Sequence, residues 1–161
     1  NKMMAKRKKQ GFTLVEILIV VVILGILAAI VIPQFSQASL EARESSLKSN
    51  IQAVRSQIEL YKIQHLEDLP GAHADFDFEG ALTNDTELDG STWVAGQSYG
   101  PYMRAVPINP FSTADPATNL VRTDGAAAGA DTHHWRFDST SGEFSADDAD
   151  TSPDGTDHDT L

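Results

Sequence analysis

Residues 7–32 read RKKQGFTLVEILIVVVILGILAAIVI. A basic stub meets Gly11, and from Phe12 to Ile32 the chain is an apolar run of 21 residues whose only charge is Glu16. As a helix such a run is roughly 32 Å long, which matches a bilayer hydrocarbon core of about 30 Å. A carboxylate at the bilayer centre costs about 2.5–3.5 kcal/mol even on the lenient insertion scale, so an acid in this setting points to function. Glu16 lies only four residues past Phe12, where snorkelling lowers that cost. A secretory signal peptide does not fit. Its apolar core is about 7–15 residues and ends in a small-residue cleavage site, whereas here bulky residues continue past Ala28-Ala29 to Ile32. An ordinary single-pass anchor accommodates the length but gives no reason for Glu16 or for Gly11-Phe12. Lys2, Lys6, Arg7, Lys8 and Lys9 hold the amino end in the cytoplasm by the positive-inside rule, with the remainder on the far side. The sequence begins at Asn1, and Met3 and Met4 are candidate starts.

Helical periodicity continues beyond the membrane run. Leu40, Leu47, Ile51, Val54, Ile58 and Tyr61 recur at spacings of seven, four, three, four and three, one apolar stripe on an amphipathic helix. Glu41, Arg43, Glu44, Lys48, Arg55, Glu59 and Lys62 mostly fall off it, and Glu44–Lys48 and Glu59–Lys62 are favourable helical pairs. Pro33 is expected to kink or open the helix without ending it. Pro70-Gly71 is the stop signal. The spacing thus predicts one helix over about 12–67, roughly 80 Å long. Its first half is too long for the small remaining domain to bury, so lipid must do so.

Gly11-Phe12-Thr13-Leu14-Val15-Glu16 resembles the cleavage and methylation signal of type IV prepilins and type II secretion pseudopilins. The resemblance implies that a membrane aspartyl protease, the prepilin peptidase, cuts between Gly11 and Phe12 and methylates the new amino terminus of Phe12. The family's glutamate at the fifth mature position falls on Glu16, and its helix-loosening glycine and proline on Gly25 and Pro33. The family account pairs the glutamate of an incoming subunit with the terminal amine of a neighbour. Two charges costly in lipid become cheaper together when the register is right, so Glu16 is the expected assembly residue.

Five of the twelve Lys and Arg residues precede Phe12, which leaves seven against 23 Asp and Glu, a formal charge near −16. That surface argues against a nucleic-acid partner, which needs basic patches. Repulsion between copies in a polymer must then be offset by apolar packing or cations. About 129 residues follow the membrane run, enough for one domain. The chain has no cysteine, although exported domains usually have disulfides open to them. Packing, partners or metal must serve in their place.

Residues 68–98 read as a loop region, with apolar anchors at Phe76, Phe78, Leu82, Leu88 and Trp93 and a short helical turn at Ala81-Leu82. Three prolines prevent a regular helix over Tyr99–Phe111. That segment resembles the Tyr-x-x-x-x-Pro-x-x-Pro-aromatic stretch preceding the sheet in type II secretion major pseudopilins. A short strand is expected near Leu120-Val121. His133–Phe137 and Gly142–Ser145 read as strands joined by the turn Asp138-Ser-Thr-Ser-Gly142, with Trp135, Phe137 and Phe144 packing on the helical stripe.

Asp147, Asp148, Asp150, Asp154, Asp157 and Asp159 supply hard oxygen ligands of the kind calcium takes. The family resemblance implies one calcium in a loop after the hairpin, and Ser152-Pro-Asp-Gly155 partly resembles its Gly-Pro-Asp-Gly stretch. The nearby Asp pair is not matched by Asp157-His-Asp159, and Asp148 and Asp150 lack full EF-hand spacing. A calcium site and a solvated or frayed tail therefore both stand. His65, His73, His133, His134 and His158 show no convergent metal pattern. Adjacent strand residues face opposite ways, so structural or surface histidines are expected. No nucleophile elbow, phosphate loop or His-Glu-x-x-His is present, and no enzymatic role is expected.

The expected fold is α+β and pilin-like: a long amino-terminal helix, transmembrane in its first half, packed on a small carboxyl-terminal antiparallel sheet. Residues 1–11 are the leader, 12–33 the transmembrane and polymerisation half of the helix, 34–67 its amphipathic half. Residues 68–161 form a periplasmic head with the hairpin and acidic tail. The resemblance implies a major pseudopilin of type II secretion. It would be anchored in the inner membrane and would polymerise with itself. Its partners would be minor pseudopilins, the prepilin peptidase, an inner-membrane assembly platform and its ATPase. A type IV pilin for adhesion or motility, and a single-pass anchor presenting a binding domain, are the alternatives.

Overall fold

Helix α1 spans Leu14–Gln64 without interruption, Pro33 included. The computed structural model describes residues 11–118 and 120–161, so the leader cations that set the expected orientation lie outside the described residues. The chain divides into two compact units, one ending at Glu41 and the other spanning Ala42–Leu161.

In the second unit, Leu47, Ile51, Val54, Ile58 and Tyr61 of α1 are all buried, as the periodicity requires. Leu40, assigned to the same stripe, is instead 46% exposed; the buried stripe starts one helical repeat later, at Leu47. The helix ends three residues before the expected position. Leu66 and Glu67 take φ of 57° and 71°, the Glu67 amide bonds back to the Lys62 carbonyl at 2.9 Å, and the last turn closes as a Schellman-type cap. This reversal, ahead of Pro70-Gly71, is what stops α1.

The sequence places Phe78 behind a capping aspartate, and helix α2 follows over Phe78–Thr83. The Asp77 carboxylate accepts the Gly80 amide at 2.7 Å, the usual N-cap arrangement. Strands β1 (Val121–Arg122), β2 (Trp135–Phe137) and β3 (Phe144–Ala146) form one sheet in the order β1-β2-β3. β2 and β3 are the expected antiparallel hairpin, with Phe137 opposite Phe144. Its turn is held by Asp138, whose carboxylate accepts the Thr140 and Ser141 amides at 2.8 and 3.3 Å. These bonds hold the Asp138 carboxyl below the usual carboxylate range. Gly142 closes the turn at φ 78°, and a Cβ there would meet Leu69 Cδ2 at 2.8 Å, so both conformation and space require glycine.

The sheet as a whole corrects the antiparallel expectation: β1 runs parallel to β2. Parallel neighbours need a long crossover. Here residues 123–134 supply it without a helix, so no periodic pattern announced it. Trp135, Phe137, Phe144 and Ala146 join the α1 stripe, Phe78, Ala81, Leu82 and Val106 in one core. The Phe78 ring lies 4.3 Å from that of Phe137 and 5.7 Å from that of Phe144, centroid to centroid. Trp135 Nε1 donates to the Pro107 carbonyl at 2.6 Å, and Arg55 Nε donates to the Phe144 carbonyl at 2.9 Å. The proline-rich stretch and the helix are thereby tied to the hairpin.

The candidate processing and assembly site

The amino-terminal unit carries Phe12 and Glu16, the residues expected at the processing and assembly site. Gly11, Phe12 and Thr13 precede the first turn of α1 and are exposed, so the Gly11–Phe12 bond lies outside the helix. Thr13 and Glu16 form a reciprocal cap. The Thr13 hydroxyl accepts the Glu16 amide at 3.2 Å, while Glu16 Oε2 accepts the Thr13 amide at 2.7 Å and its hydroxyl at 2.8 Å. This is the capping box, Thr-x-x-Glu, that satisfies orphan donors at a helix start. The Thr-x-x-Glu spacing of Thr13 to Glu16 carries this signature in the sequence. Within one subunit the carboxylate therefore has partners of its own.

Every large apolar side chain from Leu14 to Ile32 is exposed, between 45% at Val31 and 81% at Leu14. Isolated soluble domains rarely leave apolar patches beyond a few hundred Å² uncovered, and larger ones mark membrane or protein contacts. The α1 helix is long and apolar enough to cross a membrane, and it fits a single-pass anchor. Gly25 sharpens the point. A Cβ there would meet nothing within 4 Å, although glycine inside a helix costs about 1 kcal/mol relative to alanine. Nothing among the described residues requires it.

The acidic residues after β3 are folded, which replaces the frayed-tail alternative. A bridge pairs Thr151 with Asp157, and a 3₁₀ turn covers His158–Thr160. Asp147, Asp148, Ser152 and His158 are buried. Asp147 Oδ1 faces Arg122 Nη2 at 2.8 Å and the Ala130 amide at 3.4 Å. Its Oδ2 accepts the His133 amide at 3.1 Å and the Thr132 hydroxyl at 3.2 Å. Asp148 Oδ1 meets His158 Nδ1 at 2.7 Å and the Asp150 amide at 3.1 Å, and its Oδ2 accepts from the Asn109 side-chain amide. Asp154 accepts the Thr156 amide at 3.0 Å, which holds its carboxyl below the usual range. Asp150 and Asp157 are exposed and Asp159 is half-buried. Calcium needs six to eight oxygens converging on one point, and among the described residues no group of three or more His, Cys, Asp or Glu side chains is arranged to hold a metal. Asp147 and Asp148, whose carboxylate oxygens already meet protein donors, do not fit that ion. Two of the histidines are structural: His134 is buried and bonded to Asn109 and Ala114, and His65 stacks on Tyr61 with centroids 3.8 Å apart.

Comparison with known proteins adds the family. The prokaryotic N-terminal methylation motif matches residues 6–32. The type II secretion system core protein G of Pseudomonas aeruginosa is 44% identical over 62 residues, 38% of this chain and 44% of that protein. The core protein G of Vibrio cholerae is 30% identical over 145 residues, 81% of this chain and 94% of that protein. The chain belongs to the type II secretion system core protein G family. With the first of these core G proteins the match spans less than half the relative's length, whereas with the second it runs through nearly all of it. A fimbrial protein of Pseudomonas aeruginosa is 35% identical over 86 residues, 53% of this chain and 56% of that protein. No solved structure gives a significant match. The core G assignment agrees with the α+β architecture and with the processing signal, and the family is one of structural subunits.

Proposed function

We propose that the chain is the major structural subunit of the periplasmic filament of a type II secretion system. The single observation that carries this reading is the uninterrupted exposure of Leu14–Ile32 behind a cleavage motif. A face that apolar requires lipid before assembly and other copies afterwards. On this reading the prepilin peptidase cuts between Gly11 and Phe12 and methylates Phe12. The subunit waits in the inner membrane with Ala42–Leu161 in the periplasm. An ATPase-driven platform then draws it into a helical homopolymer, with minor pseudopilins as partners. Glu16 exchanges its Thr13 partners for the Phe12 amine of a neighbour, a register check that costs little because the carboxylate is never left without donors. Gly25 then has a reason: it lets helices approach closely.

Mass spectrometry of the amino-terminal peptide tests the processing step. The expected first residue is N-methylated Phe12. A chain that retains its lysine-rich extension in cells holding the peptidase selects an ordinary anchored domain instead. The match to a fimbrial protein supports a surface pilus as the second reading. Electron microscopy at native expression separates the two, since a surface pilus extends beyond the cell and the proposed filament does not.

A further inference from the structure

We propose that the pairs Asp147–Arg122 and Asp148–His158 close the 147–161 segment onto the head in place of a bound cation, so that the head holds its fold without calcium. The inference does not depend on filament assembly. All four carboxylate oxygens of the two aspartates already meet protein donors. A cation reaching Asp147 would have to displace a guanidinium whose side chain is 8% exposed, and like charges repel strongly at short range in a buried setting. The bonds also join stretches distant in sequence: Asn109 before the sheet, Arg122 on β1, Thr132 and His133 on the crossover, and His158 beyond the last strand. Bringing distant loops together is the structural work that a loop-bound ion, or the disulfide this chain lacks, would otherwise perform.

The neighbourhood is built for this closure. His158 is 1% exposed, and its ring packs on Phe111 with centroids 4.4 Å apart. Its amide bonds to the Asp150 carbonyl at 3.1 Å, and the Ser152 amide bonds to Thr156 at 2.8 Å. Leu161 returns to pack against the core. Arg122 also donates to the Ala127 carbonyl, which pins the crossover that makes β1 parallel to β2.

The test uses the full chain in detergent micelles, melted in chelator and in millimolar calcium chloride, with the near-ultraviolet signal of buried Trp135 as readout. The expected wild-type Tm is the same in both. His158→Ala and Arg122→Ala each lower Tm by about 10 °C, since removing one partner leaves a buried carboxylate unpaired. His158→Gln, which keeps a side-chain donor, recovers most of the loss. A wild-type Tm that rises with calcium overturns the proposal. So does a His158→Ala chain that melts like wild type, or a His158→Gln chain no better than His158→Ala. Should both alanine variants fail to fold, the wild-type calcium arm and His158→Gln still decide the matter.

Discussion

Two regions of this chain break the ordinary rule of apolar inside and polar outside, and they break it in opposite directions. Leu14–Ile32 is apolar and uncovered. Asp147, Asp148, Arg122 and His158 are polar or charged and buried. Each inversion is stable only with a partner. Asp147 and Asp148 find their partners inside the chain, where each of their carboxylate oxygens meets a donor. The apolar helix is exposed, and among the described residues Gly25 has no neighbour within 4 Å of where a Cβ would sit. The difference separates carboxylates that are satisfied within the head from an apolar rod that must be covered by something else.

The contrast is broken most directly by truncation to alanine in the two regions. Trp135→Ala, at a fully buried position, should destabilise the head by about 3–5 kcal/mol. Leu24→Ala, at a position 58% exposed, should leave denaturant unfolding of the head unchanged. A comparable loss from Leu24→Ala would mean that the helix packs within its own chain after all.

Alkaline pH sharpens the head side of the comparison. Burial pushes the Tyr61 hydroxyl up from 10.0 to about 12, and burial raises Tyr102 as well. The folded state favours the neutral phenol, so this stability is fully present below pH 10 and is lost as pH rises from 10 towards 12. The loss should reach about 2 kcal/mol from Tyr61 alone, be followed by circular dichroism, and shrink in Tyr61→Phe. A smaller and opposite effect is expected at the helix end. Leu66 holds φ 57° and is 70% exposed, so Leu66→Gly should raise stability by about 0.5–1 kcal/mol in denaturant titration. The smallest effect lies at the hairpin turn. Asp138 is held below its ordinary 3.8 by the Thr140 and Ser141 amides. Its contribution is present above that value and fades as pH falls through the lowered one. Asp138→Asn should flatten that acid limb of the Tm profile slightly.

Legibility followed the same division. The rod was readable because its signals are local and periodic: an unbroken apolar run, then Leu47, Ile51, Val54, Ile58 and Tyr61 at helical spacing. The hairpin was readable because Asp138 to Gly142 is turn chemistry between aromatic alternations. The parallel β1 was hidden because its crossover has no period to detect. The closure of the acidic segment was hidden for a related reason. Six aspartates look alike in sequence, and only the fold brings Arg122 to one and His158 to another, across 25 and 10 residues. The cap made by Thr13 and Glu16 had a readable signature, but a single glutamate in an apolar run has two uses, and the sequence distinguishes neither.

The most direct test of the account is the yield of sheared filaments from Glu16→Leu against wild type, with processing at Phe12 confirmed in both. The account predicts that the variant is cut and inserted normally, keeps a folded head, and yields no filaments. Filaments at wild-type yield would contradict it, because the one charge in the apolar run would then have no part in bringing the copies together.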